Sequence, residues 1–392
     1  MERNKTYYYD ISRRFLSVVG QWPYQKPKTR LFFLTFVFIF LINALVTQIA
    51  EIFVCKNIDC IFEVLPFHFL MFNIGVKVLT YRFKSKKIKL LTDHLFADWD
   101  SLETREEREI LKKYAERGRR YALIYSLYLY LSSIIFILTA LGPRVLDVLF
   151  PLNASRPVTL VYPAYYFVDE EKYFYYIFCN MMMIMLICLA GLIAHDSMFF
   201  TYIEHVCGLF AVIGFRFERI IYKRDITKKS LIDCPNNVYH KQIVFSIHAH
   251  RQALQFAKLI ENVFSISFAI QLIVDTITIS ITLVQLSMQL HNLTEATRCM
   301  LYIFAQLFHL FCFSFQGQKL INHSLETRDK IYNGAWYELP VKEQKLLLIV
   351  MRKSIEASSV TACKIYIFSL QNFTTVLQSA MSYFMMLASF SA

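Results

Sequence analysis

The sequence predicts an all-α membrane protein with seven transmembrane helices, a cytoplasmic N-terminus and an extracellular C-terminus. Its helices are expected to extend into a cytoplasmic anchor region. Three observations predict this. Of 392 residues, 56% are hydrophobic and only 18% charged, where soluble domains have roughly half and about a quarter. Apolar stretches of membrane-spanning length recur seven times. Lys and Arg fall almost wholly into alternate connecting segments.

Crossing about 30 Å of hydrocarbon takes roughly 20 apolar residues in a helix. The stretches that meet this are Leu31–Ala50, Ile61–Tyr81, Tyr121–Leu141, Tyr173–Ala194, Val263–Gln289, Met300–Gln316 and Ile365–Phe390. The sixth is short as an apolar run and is expected to extend at both ends. Mean hydropathy is +0.39. Nine Gly and nine Pro are few for the length, so little of the chain is turn-rich.

Charge then orients the spans. Residues 1–30 hold seven Lys and Arg, 82–120 twelve, 216–258 nine and 319–353 seven. The intervening segments hold one in 51–60, three in 142–172 and one in 291–300. Basic residues accumulate on the cytoplasmic side, so the N-terminus is placed inside and seven crossings leave the C-terminus outside. That is the reverse of a G-protein-coupled receptor. Sequons at Asn153 and Asn292 fall in the outer loops, though those at Asn4, Asn322 and Asn372 do not. MERNKTYYYD has no apolar core, so no cleaved signal peptide is expected.

The net charge of +12 follows from this topology, and no basic patch on a soluble fold suggests nucleic-acid binding. The nine Cys show no CxxC and no Cys/His metal spacing. Cys179, Cys188 and Cys312 sit in apolar runs, where Cys behaves as a small hydrophobe. Cys55 and Cys60 flank a short outer loop, where a disulfide is one of two readings. No phosphate loop, GxSxG, HExxH or EF-hand occurs, so no enzyme, cofactor or metal is implied.

The seventh span is the most informative. Gln371, Thr375, Gln378, Ser382 and Ser389, with Met386, recur at steps of three and four and share one helix face. Leu370, Phe373, Leu377, Ala380, Phe384 and Leu387 form the other face. Amides and hydroxyls in a line fit a helix with one face on water inside a bundle or pore. Before this span, Asp329–Lys353 is amphipathic. His195–Ile220 and His240–Lys258 continue the fourth span and lead into the fifth as helices projecting below the membrane, packed on each other or on partner subunits.

Asp275 lies mid-span, where a carboxylate should face protein or water. An ion-path role and a hydrogen-bonded helix contact both remain open. Lys77 is expected to snorkel to the interface. His195, Asp196, Glu204 and His205 read as a hydrated helix surface at the membrane edge, or as a metal or proton-relay site. His240, His248 and His250 are unspecific.

Several stretches resemble the insect odorant receptor family of ligand-gated cation channels. The strongest runs Ile331-Tyr-Asn-Gly-Ala-Trp-Tyr-Glu-Leu-Pro340, then Leu346–Ser354, then Ser369-Leu-Gln-Asn-Phe373 through Ser382-Tyr-Phe384. Gly20-Gln-Trp-Pro-Tyr24, Tyr114-Ala-Glu-Arg-Gly118 and His205-Val-Cys-Gly-Leu209 are similar to ant and bee receptors. The resemblance implies a tetramer around one pore lined by the seventh helix, with a tuning subunit assembled beside a shared co-receptor. The chain lacks the co-receptor's long cytoplasmic insertion. Residues 1–325 would form spans one to six with the ligand pocket, and 326–392 an anchor helix and the pore helix.

The resemblance also places Met386 and Phe390 at a hydrophobic gate. Ser389 stands where the co-receptor has Gln, and Ala388 where relatives are often basic. Small apolar odorants need an aromatic and aliphatic cavity. The resemblance puts it in the outer halves of spans two, three, four and six. The residues expected there are Phe67, Leu70, Met71 and Ile74; Ile134, Ile135 and Leu138; Tyr175, Phe178 and Met182; and Tyr302 and Gln306. The alternatives are a gustatory-type relative or a small-molecule transporter, although the internal repeat usual in transporters is not evident.

Overall fold

The computed structural model describes residues 7–150, 159–227 and 236–391. The elements are α1 (Asp10–Val18), α2 (Pro27–Val54), α3 (Ile58–Phe83), α4 (Ser85–Ala97), α5 (Arg105–Leu149), α6 (Phe174–Thr227), α7 (Asn236–Met288) and α8 (Leu293–Tyr332). A 3-10 turn at Trp336–Glu338, α9 (Val341–Lys353), a hairpin of β1 (Thr361–Ala362) and β2 (Tyr366–Ile367), and α10 (Leu370–Ser391) complete the chain.

Among the described residues, six helices, α2, α3 and α5 to α8, are long and apolar enough to cross a membrane. The seventh expected span, α10, has 22 residues, roughly 33 Å of helix. Its length suffices, and its polar stripe is what dilutes its apolar character. The apolar windows of α6 and α7 are 56% buried, against 33% for α2 and 28% for α8. The bundle is therefore built around α6 and α7, with α2 and α8 at its margin.

α5 to α8 run 45, 54, 53 and 40 residues, about twice what a bilayer accepts. Their excess gathers with α4 and α9 into one polar-laced base. Arg216 of α6 makes two charge-assisted bonds to Glu107 of α5, at 2.9 and 2.8 Å. His205 Nε2 lies 2.9 Å from Asp98, Lys319 donates to Glu204, and His240 faces Glu343 at 3.4 Å. Glu204 and His205 are 0% and 2% exposed. The hydrated surface expected there is thus an interior. Polar residues on a helix report water or a partner equally, and here the partner lies about a hundred residues away in sequence.

Cys55 and Cys60 form a disulfide across the α2–α3 connection. Pro66 interrupts α3 without leaving its backbone unpaired. The Phe62 carbonyl that Pro66 cannot satisfy accepts from Gln285 Nε2 at 2.6 Å. Asn292 caps α8 by accepting from the Thr294 amide at 3.2 Å. Asn4 and Asn153 lie outside the described residues.

The seventh helix begins at Leu370, not at the expected Ile365. Cys363 and Lys364 have φ of 52° and 62°, and the Ile365 amide donates to Ala362 O at 3.0 Å. Two consecutive positive φ values make a tight hairpin turn, so Tyr366 and Ile367 pair with β1. The Ser369 hydroxyl then caps the new helix, accepting from the Asn372 amide at 3.1 Å.

Gly317 of α8 holds this hairpin close. A Cβ there would stand 2.8 Å from Phe368 Cβ and 2.9 Å from its carbonyl carbon. Gly317→Ala should therefore destabilise the protein by about 1–3 kcal/mol, read as a lower thermal midpoint in detergent. Gly142→Ala, with nothing within 4 Å, is the control and should leave the midpoint level or higher. Equal midpoints for Gly317→Ala and wild type would show that the hairpin is not pressed against α8.

Candidate functional site

A cavity of about 120 Å³ lies between α3, α5, α6, α7 and α8. Each helix presents one stripe to it. Phe67, Leu70, Asn73 and Lys77 of α3 recur at steps of three and four, as do Gln271, Asp275 and Thr278 of α7. α5 supplies Leu129, Ser132, Ser133 and Phe136, and α6 supplies Met185, Leu189 and Leu192. Tyr302, Gln306 and His309 come from α8. The walls are apolar and aromatic, and the polar groups gather at one end.

That polar end is a buried charge cluster joining five helices. Asp196 of α6 accepts from Lys77 Nζ at 2.5 Å and from the Tyr125 hydroxyl at 2.7 Å. His309 Nε2 lies 3.0 Å from the same carboxylate. The other ring nitrogen of His309 stands 3.7 Å from Asp275, whose Oδ1 accepts from Asn73 Nδ2 at 3.0 Å. Lys77 also sits over the Phe313 ring, 5.0 Å from its centroid. Lys77 is 4% exposed and Asp196 2%. The expected snorkelling of Lys77 is overturned because its counter-ion is inside the bundle. His195 is likewise buried, bonded to Gln21. Asp275 is a hydrogen-bonded helix contact that also faces the cavity.

Beyond the apolar end, a larger and more polar recess of about 490 Å³ is lined by Glu63, Gln285, Gln289, Glu295 and Arg298 among others. Phe67, Phe136 and Tyr302 line both spaces and form the partition. Phe67 lies 5.5 Å from Phe136 and 5.3 Å from Tyr302, centroid to centroid. The Tyr302 hydroxyl is pinned by donation to Pro66 O at 2.7 Å. Arg298 holds the recess wall by donating to the carbonyls of Leu160 and Val161 at 3.1 and 2.6 Å.

Of the residues expected at a ligand pocket, Phe67, Leu70, Tyr302 and Gln306 line this cavity. Met71 and Ile74 are buried in the main core. Ile134, Ile135 and Leu138 are exposed, on the face of α5 away from Ser132 and Phe136. Tyr175 is 70% exposed. Phe178 and Met182 pack in a second core with Phe136 and Tyr162. The expected α5 residues lie outside this cavity because apolarity is uniform around that helix and does not mark its inward face. Its two adjacent serines, Ser132 and Ser133, were the available signal for the inward side. Asn73, Lys77, Gln271 and His309 were missed because only their contacts across helices reveal them.

On α10, Gln371, Thr375, Gln378, Ser382, Met386 and Ser389 are all exposed in the protomer, while Val376 and Ala380 are buried against the bundle. Ser280 of α7 donates to Ala380 O at 3.0 Å. The side chain of Phe390 lies outside the described residues.

A family model described as 7tm Odorant receptor matches residues 57–381. Among curated proteins, the chain is 25% identical to a putative odorant receptor, 85e, of Drosophila melanogaster over 41% of this chain and 34% of that protein. It is 26% identical to the odorant receptor Or2 of Anopheles gambiae over 38% and 36%. It is 25% identical to the odorant receptor coreceptor of Ooceraea biroi over 39% and 34%. These matches span about a third of the relatives' length. The fold is similar to that of the insect olfactory receptor OR5 from Machilis hrabei in complex with eugenol, with TM-score 0.80 and 14% identity over 98% of both chains.

Proposed function

The chain belongs to the 7tm odorant receptor family, a family of multi-pass membrane receptors and not of enzymes, and from that premise we propose that it is an odorant-gated, non-selective cation channel subunit. It binds small volatile apolar ligands in the cavity between α3, α5, α6, α7 and α8. It opens a central pore in a heterotetramer with co-receptor subunits, in the plasma membrane of olfactory sensory neurons. The N-terminus is cytoplasmic and the C-terminus extracellular.

One observation carries this reading. α10 buries Val376 and Ala380 yet leaves Gln371, Thr375, Gln378, Ser382 and Ser389 uncovered. Polar side chains gain nothing from lipid. Subunits arranged about an axis next to α10 would turn these stripes onto water. The tuning role, as opposed to the co-receptor's, is supported by the α6–α7 connection, which is only residues 228–235 and has no room for the long insertion.

The test is current from cells expressing the chain alone, the co-receptor alone and both. Ligand-evoked current with discrete single-channel steps is expected to have a ligand ranking that only the combination displays. Uptake of ligand without unitary steps would replace the channel by a transporter. A tag after Ala392 should be labelled on intact cells and one before Met1 should not; the reverse would remove the assigned topology.

A further inference from the structure

We propose that the ligand of this cavity is a neutral apolar alcohol, held by donation of its hydroxyl hydrogen to acceptors at the polar end. The inference rests on the reading of the cavity as the ligand site and adds the ligand's chemical class. Asn73 Oδ1, Gln271 Oε1, Asp275 Oδ2 and Gln306 Oε1 are buried without a hydrogen-bond partner. All four residues line the one cavity. Asn73, Gln271 and Asp275 are 7%, 2% and 8% exposed. Buried polar atoms are almost always bonded, so four free acceptors around one space call for a donor.

The orientation of Asn73 is fixed by its other bond. Asn73 gives an amide hydrogen to Asp275 Oδ1, which leaves its oxygen as the free atom. Asp275 Oδ2 stands 3.7 Å from His309, beyond hydrogen-bond reach. Among the donors around the cavity, the Ser133 hydroxyl has no partner, while others are engaged. Lys77 and His309 are held by Asp196, and Thr278 donates to Val274 O.

A ketone, ether or ester could accept from Ser133 but would leave all four acceptors empty, whereas an alcohol can accept from Ser133 and donate as well. A carboxylate would meet Asp275. An ammonium would lose its hydration among Phe67, Leu129 and Phe136 and would face Lys77 across the same space. A hydroxyl on an apolar body avoids all of these conflicts.

The experiment uses the chain with its co-receptor and a panel of alcohols of graded size, from butanol to decanol together with 2-phenylethanol. Each is matched with its methyl ether, ketone and parent hydrocarbon. At least one alcohol should act at about tenfold lower concentration than its ether and ketone, the size of one hydrogen bond. Gln306→Met should shrink that advantage without weakening the hydrocarbon. Asp275→Asn should move preference toward the ketone, because the new amide donates. Should Asp275→Asn fail to reach the surface, Gln306→Met decides alone. Potencies that do not separate alcohol from ether, as when water serves the acceptors, overturn the inference, and so does silence of every alcohol. The underlying site is checked separately by Leu129→Trp, which fills the cavity and should weaken all active ligands together. If Leu129→Trp weakens every ligand while the classes stay equal, the cavity stands and the alcohol assignment falls. If Leu129→Trp changes nothing, the cavity itself is wrong.

Discussion

Replacing Lys77 by Met should strip the protein from the cell surface, and replacing Asp196 by Asn in the same chain should restore much of it. Lys77 and Asp196 are both nearly fully buried and bonded at 2.5 Å. Removing one partner of a buried pair leaves a charge uncompensated at a cost of about 3–5 kcal/mol. That is comparable to the whole stability of many domains. In the single variant, Asp196 keeps only Tyr125 and His309 as donors. In the double variant no charge is stranded, and the amide oxygen introduced by Asp196→Asn can still accept from Tyr125. Surface biotinylation and a detergent thermal midpoint read the outcome. A Lys77→Met protein at wild-type level, with an unchanged midpoint, would mean that the cluster contributes nothing to folding.

The same cluster shows where the sequence stops informing. Apolar runs located every span, because burial in lipid and burial in protein use the same residues. For that reason they could not say which face of α5 meets the cavity, and Ile134, Ile135 and Leu138 were chosen from the exposed side. Lys77, Asp196 and Asp275 are visible as charges in apolar surroundings. Their pairing spans 119 residues between Lys77 and Asp196, and periodicity holds no information at that range. The polar stripe of α10 was legible because it is local, repeating every three or four residues. The start of α10 was not, since the turn at Cys363 and Lys364 depends on two positive φ values that neither residue type advertises.

The physical path from the cavity to α10, the proposed pore helix, is short. Asp275 and Gln271 face the cavity from α7, and five residues beyond Asp275 on the same helix Ser280 bonds the α10 backbone at Ala380. A second route is aromatic. Phe313, under Lys77, stacks on Phe199 at 5.2 Å and meets Phe268 at 5.1 Å. Phe268 touches Phe368 at 5.4 Å, directly before α10. A ligand shifts a conformational balance only through contacts that differ between the two states. Both routes let a contact in the cavity bear on the position of α10.

Met386→Ser should therefore raise current in the absence of ligand. Met386 continues the stripe four residues after Ser382, is 52% exposed in the protomer and stands one turn before Phe390. Large apolar side chains meeting at one axis exclude water and block ions without charge. Burying a Met side chain contributes about 1.5–3 kcal/mol, so losing it from the closed ring on the order of once per assembly shifts the closed–open balance by about tenfold or more. In the proposed heteromer, co-receptor subunits would supply the rest of the ring and limit the effect of this subunit to that scale. Phe390→Ala should act in the same direction. Leak current at zero ligand, normalised to surface protein, is the measurement, with reversal potentials in mixed cations as a second readout. Channels that stay closed at rest, with unaltered permeation and normal surface levels, would place Met386 against lipid or a neighbouring helix and move the gate elsewhere on α10.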